Sequence, residues 1–353
     1  MRLASRVYFV TLSLLVACTR AEISDPGSSV SPPRTASARD AAPTPRGLPP
    51  LVLEASLDDP PVHWTEVAFL PGGDAQEEVG LDPCSECEPV VPAALAVDKD
   101  GSFWIADSFK RRIAHFARDG SFLEAVPVDV GPADLTFVGD RLYALLEENG
   151  STLVSVRRGH LSRSIVVNDR GRALHVAALI GGQDHLLVVV AGAAKLLGGY
   201  WAYASVDRIT GQVTPANGLR VPGGVVMDLE ALLDIRPITF EIRWFEGDRI
   251  TSTRGIRFQL VRDGKQLRTS VGDMYARITT SGIATIVSLG DVQGLPVGRW
   301  YLEIPPTGRK PVLERLPDDG FVGDARRYLT TGPDRGAFWM RLLRDGLHIY
   351  RRP

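Results

Sequence analysis

The chain of 353 residues has three cysteines and six histidines. So few soft and imidazole ligands restrict zinc and thiol chemistry from the outset. It has no GxSxG elbow, no HExxH, no Walker loop, and no GxGxxG between a strand and a helix. It has no excess charge of one sign. The net charge is −2, and 40 basic and 42 acidic residues are interspersed. That excludes the one-sided basic surface of a nucleic-acid binder. No amphipathic helical period competes with the alternating pattern described next. Hydrophobic residues make up 44% of the chain, enough for a sizeable core.

What is present is clearest from Pro92 to Val126, PAALAVDKDGSFWIADSFKRRIAHFARDGSFLEAV. Four short runs, ALAVD, SFWIAD, RIAHFA and SFLEAV, are joined by KDG, SFKR and RDG turns. Alternating runs between Gly- and Asp-rich turns read as a four-stranded antiparallel sheet. Weaker copies follow over 133–167, 173–219, 227–271 and 274–316. A last set, RRYLTT, AFWMRLL and LHIYRR, lacks a fourth strand. HWTEVAFL, from His63 to Leu70, has no sheet of its own and can supply it. Four-stranded repeats of about forty residues are the signature of a β-propeller. The expected fold is all-β: a six-bladed propeller of antiparallel blades, closed by an N-terminal strand pairing with the C-terminal blade. Such closure removes the free edges of a linear array. Trp104, Tyr143, Trp201, Trp244, Trp300 and Trp339 fall within strands. Large rings there are expected to fill seams between blades.

The residues Pro92, Ala96-Val97-Asp98, Asp100-Gly101, Trp104-Ile105-Ala106-Asp107, Arg112-Ile113, Phe116 and Asp119-Gly120-Ser121-Phe122 resemble an NHL repeat. The resemblance covers about thirty-five residues and implies that Asp107 and Arg112 form a structural brace. A catalytic carboxylate at Asp107 is the competing reading.

The first residues carry an address. Arg2 and Arg6 precede a mostly apolar run, Val7 to Ala17, too short to span a bilayer. Leu15-Val16-Ala17-Cys18 resembles the lipobox of bacterial lipoproteins. That resemblance implies cleavage after residue 17 and a lipid on Cys18. The chain would be exported and anchored to the cell membrane or the outer membrane. Residues 18–61, rich in Pro, Ser, Ala and Thr, are expected to form a disordered tether. The propeller is then expected over 62–353.

Several residues are candidates for chemistry. A–B and C–D turns lie on one propeller face, and B–C and D–A links on the other. The longer connections, Pro71–Val91, Ala191–Tyr200, Glu246–Arg254 and Gly290–Val297, all fall on the second face, as functional loops do. Asp134, His175, Asp228 and Arg327 lie near the start of innermost strands. They are expected to ring the channel mouth, either as a small-ligand site or as a hydrated mixed-charge lining. Cys84 and Cys87, in CSEC, lack the further ligands of a zinc site. Asp82, Glu86 and Glu88 disfavour thiolate, so a small disulfide is the plainest reading. No motif calls for a cofactor or a metal. The expected function is a cell-envelope recognition module, monomeric, binding an envelope protein, a glycan or a small ligand on the long-loop face. The alternative is a lactonase- or lyase-like propeller enzyme with a metal-assisted site at the channel mouth.

Overall fold

The computed structural model describes residues 46–60, 63–81, 90–147, 150–157, 159–182, 184–191, 201–221, 223–232, 239–246, 249–267, 270–271, 276–290, 296–306, 309–317 and 328–352. Every regular element among the described residues is a strand. Two strands precede the first blade: β1 (Arg46–Ser56) and β2 (Thr65–Pro71). Blade 1 is β3 (Leu95–Val97), β4 (Phe103–Asp107), β5 (Arg112–Phe116) and β6 (Phe122–Pro127). Blade 2 is β7 (Pro132–Val138), β8 (Arg141–Glu147), β9 (Ser151–Arg157) and β10 (His160–Val166). A small hairpin, β11 (Asn168–Asp169) with β12 (Arg172–Ala173), leads into blade 3. Blade 3 is β13 (Val176–Gly181), β14 (Leu186–Ala191), β15 (Trp201–Val206) and β16 (Val213–Ala216). Blade 4 begins with β17 (Leu219–Arg220) and has β18 (Val226–Leu232), β19 (Thr239–Glu246) and β20 (Arg249–Arg262) as its body, with β21 (Lys265–Leu267) folding back on β20. Blade 5 has an interrupted inner strand, β22 (Ser270–Val271) and β23 (Arg277–Ile278), then β24 (Ile283–Gly290), β25 (Pro296–Ile304) and β26 (Val312–Arg315). Blade 6 is β27 (Leu329–Thr331), β28 (Ala337–Leu343) and β29 (Gly346–Arg351), completed by β2.

The fold is the expected all-β six-bladed propeller, and its closure is as expected. β2 pairs antiparallel with β29, from Thr65↔Arg351 to Pro71↔Gly346. The seams follow from the two-residue period of a strand. In β4, Phe103 and Ile105 join an apolar cluster shared with blades 5 and 6, while Trp104 and Ala106 join one shared with blade 2. Tyr143 and Leu145 turn from blade 2 to blade 3. A fourth cluster runs through blades 3, 4 and 5. Together the four clusters close the circle. Trp104, Tyr143, Trp300 and Trp339 are buried in these seams, as expected of ring-shaped fillers. Trp244 is partly buried against the blade 3–5 cluster, and its indole Nε1 donates to Pro306 O at 3.0 Å. The side chain of Trp201 lies outside the described residues.

Two expectations are corrected. The segment 18–61 is not all tether, because β1 lies within it. β1 runs parallel to β20, pairing Arg46 with Ser252 and Ser56 with Val261. Its register slips between Leu48 and Leu51, where Pro49 and Pro50 have no N–H to give. Beyond the slip the strand alternates: Leu53 and Ala55 are buried, Val52 and Glu54 exposed. Leu53, Ala55 and Leu57 enter the blade 3–5 core. β1 is therefore the outer strand of blade 4. The run KQLRTSV, expected to take that place, instead splits between β21 and β22, the latter the first strand of blade 5. A strand paired from a distance needs no hairpin, which is why a parallel one can serve here.

The N-terminal segment thus laces three blades. Leu57 N donates to Val261 O of blade 4 at 2.9 Å, and Arg315 of blade 5 donates to Leu57 O. His63 pairs with Glu314 of blade 5 at 3.2 Å before β2 enters blade 6. The other end of the chain meets it there. Arg352 donates to both oxygens of Glu314, at 3.0 and 2.9 Å, and to Glu303 at 3.3 Å. Its guanidinium lies over the Tyr301 ring, whose hydroxyl is driven far above its ordinary pKa by burial and then by Glu303.

If β1 belongs to the ring, Leu53→Ala should cost about 2–4 kcal/mol of unfolding free energy, the usual range for emptying a buried leucine site. Denaturant unfolding followed by tryptophan fluorescence measures it. An unchanged midpoint would mean that β1 contributes nothing to the fold.

Candidate functional site

The axis is the first place to look, and a buried charge pair spans it at Asp134. This residue is on β7 of blade 2 and is 1% exposed. Its Oδ1 accepts Leu135 N at 2.8 Å, and Oδ2 accepts Leu179 N of blade 3 at 2.7 Å. Arg277, buried on β23 of blade 5, brings Nη2 to 4.0 Å from the same Oδ2. Blades 2 and 5 are opposite in a ring of six, so this charge pair crosses the axis. Arg277 Nε also donates to Leu329 O of blade 6 at 3.1 Å. Two side chains thereby connect the inner strands of four blades. A carboxylate committed to two backbone amides and facing a guanidinium is a structural group, not an open ligand.

The other expected members of the channel-mouth ring are described only in part. His175 is exposed just before β13. Asp228 is on β18, paired with Arg243 through the backbone, and its side chain lies outside the described residues. Arg327, Cys84, Cys87 and Cys18 also lie outside them. Arg277 was hidden in the sequence because MYARITT alternates like any strand; the signal was a lone base on an innermost strand. Among the described residues, no group of three His, Cys, Asp or Glu side chains is placed to hold a metal.

Asp107 and Arg112 form the brace that the resemblance implies. They face each other across β4 and β5, with Arg112 Nε donating to Asp107 Oδ2 at 2.8 Å. Their further bonds show what is braced. Gly80 N donates to both Asp107 oxygens at 3.2 Å. Arg112 also donates to Gln76 O and Glu78 O, and Lys110 Nζ to Ala75 O and Glu78 O. The Lys110 amine is pushed below its ordinary pKa by burial first and by Arg112 second. A Cβ at residue 80 would stand 2.6 Å from Asp107 Oδ1, so glycine is required by this approach. The pair pins the link that leads from the closing strand into blade 1.

The long-loop face is described only in part. Residues 82–89, 192–200 and 291–295 lie outside the described residues. The expected Glu246–Arg254 loop is shorter than that span, since β20 already pairs with β19 from Arg249.

On the opposite face, at the seam where the ring closes, there is a groove of about 220 Å³. The A–B turn of blade 1, Asp98 to Gly101, forms one wall with Arg118 from the next turn. Pro333, Asp334 and Arg351 of blade 6 form the other. Val67, Val97, Phe103 and Phe338 lie beneath. Three carboxylates and three cations line the groove. Asp98 Oδ1 accepts Lys99 N at 2.6 Å, and Asp100 Oδ1 accepts Ser102 N at 2.9 Å. The Asp100 carboxyl is held below its ordinary pKa chiefly by bonds from the Ser102 hydroxyl and amide. That contribution to stability is present at neutral pH and lost as pH falls below the ordinary carboxylate range. Asp334 is paired with Arg351, whose guanidinium lies 5.7 Å from the Phe338 ring centre. Arg118 is exposed and makes no ion pair or hydrogen bond among the described residues; its stem packs beside Gly101.

Behind this wall is an arrangement with the outline of a nucleophile and base. Ser102 Oγ is 2.9 Å from His115 Nε2, and His115 Nδ1 is 3.5 Å from Glu124 Oε1. Sequence reasoning passed over it because the three residues are spread over a turn and two strands. Ser102, however, is 4% exposed, and His115 is stacked on Trp104 at 3.9 Å. Almost no surface of the serine is left for a substrate to reach. The trio ties the turn to β5 and β6.

Residues 62–142 match a family described as Domain of unknown function (DUF7485). No curated protein matches. Among solved structures, a gluconolactonase from Xanthomonas campestris is similar at 13% identity over 74% of this chain and 85% of its own, with a TM-score of 0.41. The PQQ-bound aldose sugar dehydrogenase of Streptomyces coelicolor is similar at 10% identity, over 82% and 97%, with a TM-score of 0.45. BamB from Moraxella catarrhalis is similar at 11% identity, over 82% and 98%, with a TM-score of 0.36. Likeness of this degree carries nothing about activity.

Two outcomes follow from the geometry. Asp134→Ala removes a buried carboxylate that accepts from Leu135 N and Leu179 N and faces Arg277, and should cost about 3–5 kcal/mol in denaturant unfolding. A loss below about 1 kcal/mol, the size of a surface pair, would show that the axis is not braced this way. A fluorophosphonate probe should leave Ser102 unmodified in the folded protein. Labelling that disappears in Ser102→Ala would make the trio a working nucleophile.

Proposed function

We propose that this protein is a lipid-anchored recognition module of the cell envelope, and that it binds its partner at the groove between blades 1 and 6. The groove carries the reading. It has polar walls of both signs over apolar side chains, and Arg118 makes no ion pair or hydrogen bond among the described residues. The axial carboxylate, by contrast, is spent on bracing. This places the working face opposite the one favoured by loop length alone.

The anchor and the site are tested separately. Metabolic labelling with a fatty-acid probe should mark the full chain and be lost in Cys18→Ala; label that persists removes the anchor. A photo-cross-linker at position 333, exposed in the groove wall, should capture one constant envelope component in intact cells. One placed at Leu161, exposed on an outer strand of blade 2, should not. Equal capture at both positions, or none at 333, removes the groove as the site.

A further inference from the structure

We propose that the groove between blades 1 and 6 holds one uncharged sugar unit, free or at the end of a glycan. The inference rests on the reading of that groove as the recognition site. Three features of the lining select this chemistry.

The first is charge balance. Asp98, Asp100 and Asp334 line the groove together with Lys99, Arg118 and Arg351, Lys99 also pairing with Asp140 at 3.3 Å and Arg351 with Asp334. An anion would meet three carboxylates on entry, and a cation three bases. Either would leave charges of its own sign partly desolvated, which is costly. A neutral ligand meets no such opposition.

The second is how the signs are distributed. Asp98, Lys99 and Asp100 alternate along one wall, and Asp334 is joined to Arg351 on the other. The charges are interleaved rather than gathered at two poles. A zwitterion such as a free amino acid needs two poles. A ring of hydroxyls does not, because each hydroxyl both donates and accepts. Carboxylates accept only, and guanidinium and ammonium groups donate only, so alternating walls match a ligand that does both.

The third is size and floor. The volume of 220 Å³ is below the roughly 300–1,000 Å³ of pockets for drug-sized ligands. It suits a single six-membered ring. Val67, Val97, Phe103 and Phe338 supply the apolar part of the lining, with Phe103 and Val97 almost wholly buried and the Phe338 ring shared with Arg351. Arg118 is the one wall cation with no bond in the protein among the described residues, so it is the side chain a ligand hydroxyl can engage at no cost to the fold.

The test uses the full chain in detergent and saturation-transfer NMR with methyl β-D-glucopyranoside and methyl N-acetyl-β-D-glucosaminide as probes. Acetate and glycine are the charged and zwitterionic competitors. At least one glycoside should show transfer. Arg118→Ala should weaken it about tenfold, the loss of one good hydrogen bond to a charged group, while melting like the parent. Acetate and glycine should not displace the glycoside. Absence of transfer from both glycosides, displacement by acetate or glycine, or an unchanged signal in Arg118→Ala would overturn the assignment. If the glycosides are silent but the position-333 cross-link forms, the ligand class is wrong and the site stands. If both fail, the site falls with it.

Discussion

A ring of sheets has to satisfy the outer edge of every blade and the gap between its first and last members. In this protein the same stretch of chain, residues 46–71, meets both demands. β1 covers the outer edge of blade 4, and β2 completes blade 6. Each strand also sends every second side chain into a seam, so pairing and packing are coupled. The C-terminal Arg352 meets Glu303 and Glu314 of blade 5 close to where His63 passes. The chain ends are therefore bound to one another through blade 5, which neither end belongs to.

Buried charge completes the framework. Asp134 and Arg277 join opposite blades at the axis, and each is also held by the backbone of a further blade. Asp107 and Arg112 do equivalent work at the rim, where they fix the link between the closing strand and blade 1. Buried pairs of this kind add little net stability over an apolar replacement, but they are costly to half-remove. Their effect is to specify which blades meet. These charges are occupied structurally, and the groove proposed for recognition lies apart from them on the turn face, where blade 6 meets blade 1.

Much of this was legible beforehand. The DG turns and alternating runs gave the blades, and the orphan run around Trp64 gave the closure. The Asp107–Arg112 brace was legible through its likeness to a known repeat. What was missed has physical reasons. Residues 46–56 read as tether because Pro49 and Pro50 suggest extended, solvated chain. LVLEASL after them has the two-residue period of a half-buried strand, and an edge strand tolerates proline where no N–H is needed. KQLRTSV alternates equally well as an outer or an inner strand, so pattern alone could not place it. Asp134 was correctly singled out as an inner-strand carboxylate, but its partner Arg277 comes from the far side of the ring. A pairing between residues 143 positions apart leaves no trace in local pattern. The groove is also invisible locally, because its two walls come from opposite ends of the fold.

The most direct test is amide hydrogen exchange of the full chain over residues 51–56 and 65–71. Both stretches should exchange far more slowly than free coil, with β2 protected to the degree of its partner β29. If residues 51–56 exchange at the rate of an unstructured peptide while the blades stay protected, β1 is a tether and blade 4 lacks its outer strand. If β2 does the same, the ring is not closed by the N-terminal segment.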